Sequence, residues 1–235
     1  VTILLRADSI AKSFTGRRVL SAATLRAVPG ELRVLFGRNG IGKSTLLQIA
    51  AGVQQPDGGV VEFGGRARLR VTLPMLAREG LFFLPDRDLL SPKFPVRRQL
   101  EFFRRQFSGA DIEESAERMG IAARLDQLPP SLSGGELRRA ELATVLVRRP
   151  TCLLADEPYR GVAPADAEVL TCTFRALAAN GCAVVVTGHE VPTLMDAADH
   201  VSWCTTGTTY ELGPPVLAAT HEAFRREYLG AWYRS

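Results

Sequence analysis

The eight residues GRNGIGKS, positions 37–44, restrict this chain more than any other stretch of it. The apolar run ELRVLFG (31–37) leads into them, ends on a glycine and reads as a buried strand. STLLQIAAG (44–52) leaves them with helical spacing and ends on a glycine suited to a helix C-cap. A glycine-rich turn therefore joins a buried strand to a helix. Only three lysines, Lys12, Lys43 and Lys93, stand among the 29 lysines and arginines, so the lysine inside this turn needs a specific reason.

The spacing Gly37-x-x-x-x-Gly42-Lys43-Ser44 supplies one, because it fits a phosphate-binding loop. Along Gly37, Arg38, Asn39, Gly40, Gly42, Lys43, Ser44 and Thr45 the backbone can turn successive N–H groups toward phosphate oxygens. The helix that follows adds partial positive charge at its N-terminus. Lys43 places a compact ammonium between β- and γ-phosphates, where a planar guanidinium would crowd the cradle. The Ser44 hydroxyl can ligate Mg2+. TCLLADEP (151–158) is a second buried strand, which puts Asp156 at its carboxyl end, the edge where open α/β sheets gather ligands. Asp156 can hold Mg2+ through its water shell, and Glu157 can polarise an attacking water.

CAVVVTGH (182–189) reads as a third buried strand and Pro164–Ala179 as a helix, so strand and helix alternate. The expected fold class is α/β, a P-loop NTPase core with a mostly parallel sheet and helices on both faces. LRADSIAKSF, GGVVEFGG and GLFFLPD are assigned to a smaller antiparallel sheet, and residues 91–147 have helical patterning interrupted by LPPSLSGG. The expected organisation is one domain, with 1–86 and 146–235 forming the nucleotide-binding core and 87–145 an inserted helical subdomain. At 235 residues and 46% hydrophobic content the chain can bury such a core. A net charge of +4 suits a nucleic acid, an anionic membrane surface or a phosphorylated ligand without choosing among them. Four dispersed cysteines without CxxC spacing read as buried hydrophobes in a reducing compartment. The apolar start VTILL is too short for a signal peptide core, and no run reaches the roughly 18 apolar residues of a membrane span.

Leu132-Ser133-Gly134-Gly135-Glu136, opening the helical stretch LRRAELATVLV, makes the phosphate loop part of a larger pattern. Together they resemble the ATPase subunits of ABC transporters, whose signature is Leu-Ser-Gly-Gly-Gln. The resemblance covers nearly the whole chain. It implies that Ser133, Gly134 and Gly135 contact the γ-phosphate held by a second copy, so that two chains sandwich two ATP molecules head to tail. It implies that Phe14 stacks on adenine and that His189 is the switch histidine at the γ-phosphate. LSGGE with RRAELA, DEPYRGV and EAFRREYLG are similar to the branch of lipopolysaccharide-export and branched-chain-amino-acid-uptake ATPases.

Two positions depart from the family. Asp86, in FFLPDRD, stands where a glutamine normally touches Mg2+ and the attacking water, and it adds negative charge near the γ-phosphate. Ala163 stands where an aspartate normally helps couple the two sites. The expected protein is thus an ATP- and Mg2+-dependent transport ATPase, cytoplasmic and peripheral on the inner face of the membrane. Its expected partners are transmembrane subunits and a second copy or related ATPase, with no direct nucleic-acid contact. KFPVRRQLEFFRRQF (93–107), with Arg97 and Arg98, is the expected docking surface for the membrane subunit. The competing readings are a non-transport ABC ATPase acting on nucleic acid or ribosomes, and a poorly hydrolysing regulatory module. Against the first, the chain has neither long coiled coils nor a second ATPase unit.

Overall fold

A computed structural model describes residues 2–68, 70–107 and 109–230. Its strands are β1 (Leu5–Phe14), β2 (Arg17–Ala27), β3 (Leu32–Phe36), β4 (Gly58–Phe63), β5 (Arg66–Arg68), β6 (Leu81–Leu84), β7 (Cys152–Ala155), β8 (Ala183–Thr187), β9 (His200–Thr205) and β10 (Thr208–Gly213). The helices are α1 (Lys43–Ala50), α2 (Leu73–Arg78), α3 (Val96–Phe107), α4 (Ile112–Arg118), α5 (Gly134–Arg148), α6 (Pro164–Ala179), α7 (Val191–Ala197), α8 (Pro215–Ala218) and α9 (Glu222–Phe224). Among the described residues the strands form one sheet in the order β5-β4-β1-β2-β10-β9-β3-β8-β7-β6. The stretch β9-β3-β8-β7-β6 is parallel, and β5, β4, β1 and β2 are antiparallel.

The parallel strands are covered on both faces, and the period-two alternation of a strand divides their side chains between two cores. Leu32, Val34 and Phe36 of β3, Leu153 and Ala155 of β7, and Val184 and Val186 of β8 enter a cluster with α3 to α7. Leu35, Leu154 and Val185 point the other way, onto Leu46, Leu47 and Ile49 of α1 and the buried side of β1 and β2. The helices of residues 96–148 share the first cluster with the sheet. Helix α5 binds them to it, packing on α3, α4, α6 and β6.

One strand lies elsewhere than the sequence reading put it. The segment GLFFLPD holds β6, which pairs in parallel with β7 at the edge of the main sheet, not within the antiparallel part. Its four consecutive apolar residues are packed from both sides, Phe82 and Leu84 toward one core and Leu81 toward the other. That continuous run is the mark of a doubly covered parallel strand, whereas a half-solvated antiparallel strand alternates.

Candidate active site

Four adjacent parallel strands end along one edge of the sheet, and the register aligns their ends to within one residue. Leu84 pairs with Ala155, Ala155 with Val186, and Leu35 with Thr187. The chain positions that follow are therefore neighbours: Asp86 after β6, Asp156 and Glu157 after β7, His189 after β8, and the glycine loop after β3. Phe14 reaches the same place from the end of β1, 41% exposed. The cavity between them, ≈ 580 Å³, is lined by Phe14, Asn39, Gly40, Gly42, Lys43, Ser44, Thr45, Asp86, Glu157 and His189.

Two loop glycines are required by close packing. A Cβ on Gly37 would lie 2.6 Å from the Cys204 carbonyl oxygen. Gly42 has φ +116, and a Cβ there would lie 2.7 Å from Leu20 Cδ2. The loop is braced from behind by the segment after α9. Arg38 Nη2 donates to the Glu227 carbonyl at 2.9 Å, and the Tyr228 ring packs on Phe36. The Tyr228 hydroxyl donates at 3.4 Å to the carbonyl of Gly188, beside the histidine.

Lys43 is buried, and its Nζ donates to the carbonyls of Gly37 at 2.8 Å and Arg38 at 3.3 Å. It also lies 3.2 Å from Glu157 Oε1. Ser44 Oγ donates to Asp156 Oδ1 at 3.0 Å, and Thr187 Oγ1 donates to the same oxygen at 2.8 Å. Burial raises the Asp156 carboxyl above its ordinary range. The Thr187 and Ser44 hydrogen bonds oppose that shift, while Glu157 and Asp86 add to it. Glu157 sits at φ +45, a left-handed conformation that a non-glycine residue adopts at a cost of about 1–3 kcal/mol. It is held there by its N–H to Thr187 Oγ1 at 2.9 Å and by His189 Nδ1, 3.0 Å from its Oε2.

Ser133, Gly134 and Gly135 are not among the residues lining this cavity. They form the exposed start of α5, where Ser133 is an N-cap engaged with Glu136 of its own chain. The Ser133 N–H and Oγ both donate to Glu136 Oε2 at 2.9 Å, and Arg124 Nε donates to Oε1 at 2.8 Å. These bonds hold the Glu136 carboxyl down at about 2. A Cβ on Gly135 would meet the Asp166 carboxylate, which pairs with Arg139 Nε at 3.2 Å and would have to shift to admit it. Ala163 is the N-cap of α6 and gives it no side-chain hydrogen bond.

Sequence reasoning missed two residues of the site. Thr187 ties Asp156 to the backbone of Glu157, and only its place at the end of a buried strand marked it. Arg160 lines the cavity and lies 2.7 Å from Asp86 Oδ2. The unusual carboxylate at 86 was the available signal, because a half-buried acid facing an anion site calls for a nearby cation.

The sequence profile of ABC transporters matches residues 20–160. The chain is 30% identical over 237 residues to the lipopolysaccharide export system ATP-binding protein LptB of Escherichia coli (strain K12), covering 98% of both chains. It is 31% identical over 206 residues to the autoinducer 2 import ATP-binding protein LsrA of Enterobacter sp. (strain 638), covering 86% of this chain and 41% of that longer protein. A solved nucleotide-free ATP-binding cassette from an ABC transporter has the same fold, with a TM-score of 0.84 over 100% of both chains at 19% identity. The phosphate loop, the acidic strand end and the serine-capped α5 thus occur together in a chain that belongs to the ABC transporter family, as the ATP-binding component that energises transport in association with transporter membrane components.

Proposed function

We propose that this chain is a Mg2+-dependent ATPase that acts as a head-to-tail pair on the cytoplasmic face of its membrane-spanning partners. The observation that carries the reading is the convergence of Lys43, Ser44, Asp156, Glu157 and His189 at one strand edge. In this reading the phosphates lie along residues 37–45, Phe14 stacks on the adenine, and Lys43 bridges β- and γ-phosphates. Glu157 accepts a proton from the attacking water, and His189 orients that carboxylate through Oε2.

The metal fits the residues present. Ser44, Asp156 and Asp86 all offer oxygen, the hard donor that Mg2+ selects. Asp86 Oδ1 is buried without a hydrogen-bond partner, and a cation satisfies such an orphan. A cation also favours the ionised form of Asp156, which burial alone opposes. When bound, the ion offsets charge on the β- and γ-phosphates.

Residues 133–135 do not line this cavity, which supports their use on the nucleotide of a second copy. We assign 1–86 and 146–235 to the nucleotide-binding core and 87–145 to the helical part that meets the membrane subunit. No helix of the described residues is long and apolar enough to cross a membrane. LptB is named for export and LsrA for import, so the direction and identity of the cargo belong to the membrane partners. Phosphate release from Mg2+-ATP by the purified chain, compared with Glu157→Gln, tests the reaction. Wild-type turnover no faster than the variant's rejects it. Co-purification in detergent with a membrane protein supports the transport role, and recovery with RNA instead rejects it.

A further inference from the structure

Asp86 and Arg160 come from different loops and meet inside the nucleotide cavity. Arg160 Nη1 lies 2.7 Å from Asp86 Oδ2, while Asp86 Oδ1 is buried and has no hydrogen-bond partner. Both backbones are fixed. Arg160 N–H donates to the Glu157 carbonyl at 3.1 Å, closing a turn directly after the acidic strand. The Asp86 carbonyl accepts from Arg138 Nη2 at 2.7 Å, and the Pro85 carbonyl accepts from Nη1 at 3.3 Å. Among the described residues Arg87 is the other cation within ion-pair distance of the Asp86 carboxylate, but its Nε is 3.7 Å away and its side chain is 67% exposed.

We propose that Arg160 is a positioning residue for Asp86, so that the two side chains together replace one neutral amide at the nucleotide site. A glutamine side chain offers an acceptor oxygen and N–H donors with no net charge. The Asp86–Arg160 pair offers the same set: Oδ1 is the free acceptor, the guanidinium keeps N–H groups beyond the one given to Oδ2, and the charges cancel. Arg160 fixes which oxygen is free by occupying the other. It also offsets the negative charge that a carboxylate brings beside the γ-phosphate. A half-exposed ion pair adds little to fold stability, so this pair serves placement of charge.

The inference rests on the proposed binding of ATP in this cavity. Its test is a double-mutant cycle of ATP affinity, read with a fluorescent ATP analogue in EDTA and across a Mg2+ titration. The proteins are wild type, Arg160→Ala, Asp86→Gln and the double variant. Arg160→Ala leaves one uncompensated charge in the cavity and is expected to weaken ATP binding in EDTA roughly tenfold. Asp86→Gln in addition removes that charge and is expected to restore affinity to within about twofold of wild type. The thermal midpoints of all four are expected to agree closely, which separates positioning from loss of fold. An equal loss from R160A with and without D86Q, or no loss from R160A at all, overturns the pairing while leaving ATP binding intact. A wild-type chain that binds no ATP overturns the proposed function, and this inference with it.

Discussion

Lys43 Nζ lies 3.2 Å from Glu157 Oε1, so the cation of the phosphate loop and the acid at the end of the next strand but one share a single ion pair. Replacing Lys43 by alanine removes this pair and the charge that the proposed function sets against the phosphates. We expect Lys43→Ala to lose Mg2+-ATPase activity by a factor corresponding to about 3–4 kcal/mol of transition-state stabilisation. Far-ultraviolet circular dichroism should remain that of wild type. Unchanged turnover would remove the loop from the catalytic site.

Glu157→Gln keeps the shape of the side chain and an acceptor oxygen toward Lys43, but it cannot take a proton from water. ATP affinity is expected to stay within about threefold of wild type while turnover falls by 100-fold or more, on the order of what a general base contributes. An ATP-bound pair of chains should then accumulate. Light scattering with and without Mg2+-ATP measures this, and a mass that stays at one chain counts against the head-to-tail sandwich.

Glu141 of α5 gives a pH dependence of stability. Burial raises its carboxyl to about 7, against the attraction of Arg138, whose Nη1 lies 2.8 Å away; Asp88 pushes in the same direction as burial. The folded protein therefore holds this proton more tightly than the unfolded chain, whose glutamates titrate near 4.5. Stability from this group is full below pH 4.5 and is lost as pH rises through about 7. Between pH 5 and pH 8 wild type should lose on the order of 1–3 kcal/mol relative to Glu141→Gln. Urea unfolding of both proteins at the two pH values measures the difference, and parallel pH curves would contradict the assignment.

The docking surface proposed on α3 needs a different variant from the one its sequence suggests. Arg97 turns within its own chain, to Glu113 Oε1 at 2.7 Å and Asp126 Oδ1 at 2.8 Å, so reversing its charge disturbs the helices themselves. Arg98 lies over the ring of Phe94, 4.6 Å from its centroid, and Phe102 is 61% exposed. Arg98→Glu with Phe102→Ala should leave ATPase activity of the isolated chain within about twofold and abolish recovery with the membrane subunit, since aromatic and arginine anchors dominate such contacts. Full recovery would place docking elsewhere.

The elements that were legible in sequence are those with one dominant signal. β3, β7 and β8 are short apolar runs, and α6 has the bounds its pattern suggests, with Pro164 at its first turn. β9 and β10 were not read, because HVSWCT and TTYELG mix polar and apolar residues without a clean period. The acids after β7 and the glycine loop after β3 were visible because each lies within a few residues of a strand end. Arg160 and Thr187 were not, because their meaning lies in contacts across the site: Arg160 meets a residue 74 positions away, and Thr187 meets one 31 positions away.

Strand β3 carries the phosphate loop, yet both of its sheet neighbours, β8 and β9, come roughly 150 residues later in the chain. Translation extends a chain by about 5–20 residues each second, so on the order of 10–30 s separate the emergence of β3 from that of β8. Through that interval the glycine loop has been made but has no sheet to project from. The brace from Arg38 to the Glu227 carbonyl comes later still. The antiparallel strands β1, β2 and β4 meet no such delay, since they pair with one another within the first 63 residues. Nascent chains halted before β8 should therefore hold a folded antiparallel sheet and bind no nucleotide, and ATP can favour the native fold only once the sheet has closed around β3.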